Sequence, residues 1–133
     1  MDSRRINEEY NEIMRELILV RPELEDLKGG DVTIICLSSG HEKKQGDKPV
    51  LGQAEKINEK FKWAIPCDFT ITIFEPNVEG FSEEQLKILI FHELLHIGVD
   101  KERLFIKPHD LEDFKVIIDE FGTGWADVKV RKE

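Results

Sequence analysis

The 133 residues, 40% hydrophobic and 35% charged, describe one soluble domain, 1–133, large enough to bury a core without disulfide or metal staples. A net charge of −9 argues against a nucleic-acid partner, because phosphate contacts need clustered Lys and Arg. No apolar run approaches the roughly 20 residues of a membrane span and the N-terminus lacks the apolar core of a signal peptide, so a cytoplasmic location without a membrane partner is expected.

Residues 4–20 carry Ile6, Tyr10, Ile13, Met14 and Leu17 at helical spacing, which predicts an amphipathic helix stopping near Arg21-Pro22. After the turn "LEDLKGG", the β-branched run "DVTIICL" predicts a buried strand from Val32 to Leu37. "SSGHEKKQGDKP" reads as a polar loop closed by Pro49, and its short basic cluster as a solvated one. Residues 50–65 read as starting extended, although "AEKINEKFKW" also has helical composition. "DFTITIF", Asp68 to Phe74, is the clearest strand, with Phe69, Ile71 and Ile73 on one face and Thr70 and Thr72 on the other. Cys36 and Cys67 lie in or beside apolar runs without Cys-x-x-Cys spacing and read as small buried hydrophobes.

A helix then opens at Ser82, where Ser82 and Gln85 make a capping-box pattern and Phe81 and Leu86 occupy the staple positions across it. It is expected to run through "EEQLKILIFHELLHIG" and end near Gly98. A last helix begins at or just after "PHDLEDF", turns Leu111, Phe114, Ile117, Ile118 and Phe121 inward, and stops at Gly122.

The first of these two helices carries His92-Glu93-x-x-His96. Histidines four apart project from one helix face, so two imidazole nitrogens can meet one ion at roughly 2.0–2.1 Å. Glu93 lies about 100° around the helix from His92, poorly placed as a ligand but well placed to take a proton from a water that zinc activates. The ordinary alternative is a core helix holding two hydrogen-bonded histidines. The motif's position deep in a capped, apolar helix, with Leu94 and Leu95 between the histidines, favours the metal. "HEKKQ" at His41 lacks a second histidine and carries no weight. Val99 and Glu102 stand where the metzincin pattern needs glycine and histidine, which excludes that class.

The third ligand is open among His109, Glu112 and Glu120. His109 follows Pro108 at a helix start, where the neutral imidazole that ligates metal is favoured. Either glutamate would instead complete a His-His-Glu set. Asp110 and Asp113 could orient ligand histidines, but their place in a first helical turn explains them equally. Tyr10, Arg103 and Lys107 offer no firm donor for an oxyanion.

The run "DFTITIFEPNVEGFSEEQLKILIFHELLHIGVD" followed by "KPHDLEDFKVIIDEFG" resembles the phage-type metallopeptidase family, and more remotely the SprT/Spartan-type proteases. The resemblance covers about residues 30 to 127. It implies an α+β, zincin-like fold: a small mixed sheet of about three strands packed on the motif helix, with "DFTITIF" as the edge strand beside the metal. It also implies His92, His96 and His109 as Zn²⁺ ligands, Glu93 as the general base, and a protein or peptide as substrate. The expectation is a zinc-dependent peptidase. A regulatory domain with a closed structural zinc site and a metal-dependent hydrolase of non-peptide amides are the two alternatives.

Overall fold

The computed structural model describes residues 4–29, 32–61, 63–100, 103–107, 115–122 and 124–126. The elements in chain order are β1 (Arg5–Ile6), α1 (Glu8–Val20), β2 (Ile34–Ser39), β3 (Lys44–Gln45), β4 (Lys48–Pro49), β5 (Gly52–Lys56), β6 (Phe69–Phe74), α2 (Glu83–Leu95), β7 (Ile97–Asp100), β8 (Arg103–Ile106) and α3 (Lys115–Phe121). A 3-10 turn, Pro22–Leu27, follows α1 and buries Leu24 and Leu27. The fold is α+β, as expected from the sequence. Its main sheet is mixed, with four strands in the order β1-β2-β6-β5. Two separate hairpins, β3–β4 and β7–β8, complete the strand set among the described residues.

The first helix starts later than its apolar spacing predicts. Asn7 caps it by accepting a hydrogen bond from the Tyr10 N–H at 3.0 Å, and Arg5–Ile6 before it pairs antiparallel with β2. Ile6 therefore leaves the helical stripe and is exposed, while Tyr10 and Met14 enter the core. Asn11 ties the helix to β2: its Oδ1 accepts from Cys36 N at 2.9 Å and its Nδ2 donates to Asn7 O at 3.0 Å. Cys36 is buried beside Met14, and Cys67 is buried and outside any disulfide, as the apolar setting of both suggests.

β6 is buried along its whole length. It runs parallel to β2 on one side and antiparallel to β5 on the other, so the expectation that Asp68–Phe74 forms the edge strand is wrong. Both faces of β6 are covered, which is why threonine as well as phenylalanine and isoleucine is buried there. β5 ends the sheet instead. The polar loop after β2 is also more ordered than its composition suggests, since Lys44–Gln45 and Lys48–Pro49 pair across a turn in which Gly46 adopts φ 64°.

α2 opens on a complete capping box: Ser82 Oγ accepts from Gln85 N at 3.2 Å, and Gln85 Oε1 accepts from Ser82 N at 2.9 Å. Phe81 and Leu86 both pack against the core, as the staple requires. Ile88 to Phe91, Leu94 and Leu95 are buried around most of the helix circumference, because α2 is covered by α1 on one side and by β5 and β6 on another. It ends at Leu95 rather than near Gly98. His96 is its C-cap, and Ile97 already begins the β7–β8 hairpin that occupies the expected connection. Ile117 of α3 is fully buried, Phe121 packs against the core, and Gly122 ends the helix at φ 81°. Leu111 and Phe114 lie outside the described residues. Among the described residues no helix is long and apolar enough to cross a membrane.

Candidate metal centre

His92 and Glu93 stand in the last turn of α2, and His96 stands on its C-cap. One potential ligand atom from each lies within 4.8 Å of the others. The two imidazole rings approach edge to face, with centroids 5.2 Å apart. Both histidines are half-buried and Glu93 is 4% exposed.

The end of the helix explains how His96 is oriented. Its backbone N–H is used by the helix, donating to Glu93 O at 3.1 Å. The hairpin register, Ile97 opposite Ile106, continues to His96 opposite Lys107, where Lys107 N donates to His96 O. The Lys107 carbonyl would ordinarily accept from the backbone N–H of His96, which is no longer available. It lies 2.6 Å from the ring Nδ1 of His96 instead. A carbonyl can only accept, so Nδ1 carries a proton, and in the neutral imidazole the lone pair is then on Nε2. This is the tautomer and the outer contact that a metal-binding histidine needs.

Glu93 is set by β5. Gly52 sits so close that a Cβ there would stand 3.2 Å from Glu93 Oε2, 3.3 Å from Glu93 Cγ and 3.2 Å from Ile73 Cδ1. Glycine lets the edge strand lie down on the carboxylate. Phe74 N donates to Leu51 O at 3.0 Å and Ile57 N to Asp68 O at 2.8 Å. With the β5–β6 register, these bonds turn the odd-numbered residues of β5 toward β6 and leave the N–H and C=O of Gly52 and Ala54 directed to the outer edge.

A cleft of about 480 Å³ opens beside the three side chains, lined by α2, by residues 45 and 48–52, and by Trp125. The Trp125 ring lies 6.0 Å from that of His92, and its carbonyl accepts from Gln85 Nε2 at 3.2 Å. The sequence reading missed Trp125, Gly52 and the Lys107 carbonyl. A tryptophan among glycines in "GTGWAD" was the one available signal; the other two are backbone features.

The remaining candidates separate cleanly. Glu120 is held by Arg21 through two contacts, 2.6 and 2.8 Å, and lines a different depression with Phe91 and Phe121. The Arg21 guanidinium holds its carboxyl below the usual range. Glu120 is thus engaged away from the histidines. His109 and Glu112 lie outside the described residues, as do Asp110 and Asp113. Tyr10 is buried, and burial and Glu75 raise its pKa; it lines another surface depression. Arg103 is exposed, its guanidinium 5.4 Å from the Phe105 ring. His41 is exposed, and its N–H donates to Ser39 Oγ. Two imidazoles, one with its tautomer fixed, and an adjacent buried carboxylate are a donor set that fits a divalent cation of the nitrogen-seeking kind.

The family model described as "Putative phage metallopeptidase" matches residues 3–132 of the chain. No curated protein and no solved structure matches it.

Proposed function

The chain belongs to the phage metallopeptidase family, and from that premise we propose that it is a zinc-dependent peptidase of zincin-like architecture. The observation that carries this reading is the His92-Glu93-His96 cluster, with His96 Nδ1 committed to the Lys107 carbonyl. His92 and His96 would hold the ion through one ring nitrogen each, and His109 would supply the third protein ligand. Zinc, when bound, acts as a Lewis acid that lowers the pKa of a water and polarises the carbonyl to be attacked.

The chain's own residues do the rest. Glu93, walled in by Gly52, accepts a proton from the attacking water and returns it to the departing amine. The near absence of solvent around it keeps its carboxylate aimed at one position. Substrate backbone pairs with the outer edge of β5, where Gly52 and Ala54 direct their N–H and C=O groups. Trp125 closes the cleft beside His92 and limits access of water to the reacting groups.

The test is metal content and cleavage measured on the same preparation, purified without chelators. About one zinc per chain is expected, with cleavage of unfolded protein substrates. Glu93→Gln should keep the metal and lower kcat by about 10²- to 10⁴-fold. A chain that holds no stoichiometric metal refutes the reading. A chain that holds zinc, loses its fold on chelation and cleaves nothing is a structural-zinc domain instead.

A further inference from the structure

The hairpin wall of the cleft carries two side chains that the proposed reaction leaves idle. Gln45 and Lys48 are cross-strand partners of β3 and β4, so their side chains leave the same face of the hairpin. Both line the cleft that contains His92, Glu93 and His96. The hairpin holding them is braced at its base. Val50 N donates to Lys43 O at 2.9 Å, and Asn77 Nδ2 donates to both Lys43 O and Val50 O, at 2.7 and 2.8 Å.

The neighbouring lysines are already committed. Lys43 donates to Gln53 and lies 5.5 Å from the Phe74 ring centre, and Lys44 is 3.9 Å from Glu42. Gln45 and Lys48 make no side-chain hydrogen bond or ion pair among the described residues. Among the described residues that line the cleft, Lys48 is the one lysine or arginine.

An ammonium beside a primary amide is a pair of donors suited to a carboxylate, which accepts on both oxygens. The net charge of −9 would by itself repel an acidic ligand. That field is screened beyond about 8 Å at physiological ionic strength, so the cation inside the cleft sets the local preference. We infer that Lys48 and Gln45 form a subsite for a carboxylate of the substrate, and that the bonds cut by the proposed peptidase lie next to an acidic group. The inference rests on the peptidase reading for the substrate's being a peptide. The carboxylate comes from an Asp or Glu side chain or from the peptide's own C-terminus.

The experiment uses the zinc-loaded full chain carrying Glu93→Gln, in which binding is read without turnover. Four fluorescein-labelled peptide pools are compared by anisotropy: Glu or Gln at one fixed internal position, each with a free or an amidated C-terminus. Removing the carboxylate that is recognised weakens binding about fivefold, the range of a partly solvated ion pair, and the pool that shows the loss identifies its source. Adding Lys48→Met abolishes the discrimination, and adding Lys48→Glu turns it against the carboxylate. Lys48 is exposed on the hairpin, so neither change touches the core. Equal binding of all four pools, or a preference that survives Lys48→Met, overturns the subsite. Failure of the peptidase reading is recorded separately, as absence of cleavage of every pool by the wild-type chain.

Discussion

At the residue scale, the approach of Gly52 to Glu93 couples a strand to a carboxylate with no room between them. Gly52→Ala inserts a methyl at 3.2 Å from both Glu93 Oε2 and Ile73 Cδ1, so the carboxylate is one of the two side chains that must give way. The expected result is retained zinc and a kcat lowered about tenfold, since a misplacement well under 1 Å already disturbs a reacting geometry. A double-mutant cycle in thermal unfolding checks the cause. Gly52→Ala combined with Glu93→Ala should lose less stability than the sum of the two single changes, by about 1 kcal/mol. Strict additivity would mean that the methyl is accommodated elsewhere. The thiol at Cys36 is a contrasting case: burial pushes it up to about 12, so it stays protonated and inert as a core atom.

At the scale of elements, the β7–β8 hairpin is a lever on the candidate metal centre. Gly98 lies under the Phe105 ring, where a Cβ would meet ring atoms at 2.5 Å. Gly98→Ala must therefore displace the ring of Phe105 in β8, and any shift passed on to the strand reaches Lys107 just after it, whose carbonyl fixes His96. Zinc affinity should fall about tenfold, the lower end of what loss of such an outer contact costs, measured by competition with a chromophoric chelator; unchanged affinity would show that the hairpin does not hold the imidazole. Much of this part of the molecule was legible in the sequence. Ser82 and Gln85 announced the start of α2 through local chemistry, and the four-residue spacing of His92 and His96 brought a potential ligand atom of each together once that helix formed. The helix end was not legible, because it is decided by competition between Ile97 joining the helix and Ile97 pairing with Ile106 nine residues on. The edge strand was misjudged for a related reason. "DFTITIF" alternates as a half-exposed strand would, yet which strand ends a sheet depends on partners, and those lie at 34–39 and 52–56. The short, polar β3–β4 hairpin carries almost no apolar pattern to read.

Across the whole molecule, α1, α2 and α3 are joined at Arg21. Its guanidinium lies 4.5 Å from the Phe91 ring centre, 5.6 Å from that of Phe121, and within ion-pair distance of Glu120. The pair depresses the folded-state pKa of Glu120 below its ordinary value of 4.5. A depressed carboxyl stabilises the fold fully above the unfolded value and loses that contribution as pH falls through the folded one. The melting temperature of wild type should therefore exceed that of Glu120→Gln at neutral pH, and the gap should close as pH is lowered past 4.5. The gap will be modest, since Glu120 is partly solvated and such pairs contribute about 1 kcal/mol or less. A gap independent of pH would assign it to packing alone. The hairpin between β2 and β5 has the opposite relation to the fold. It hangs from Lys43, Val50 and Asn77 and places its remaining residues outside the core. Mutations or length changes between those anchor points can accumulate without a toll on folding, so the residues proposed to meet a substrate can be redesigned without disturbing the helix that bears the histidines.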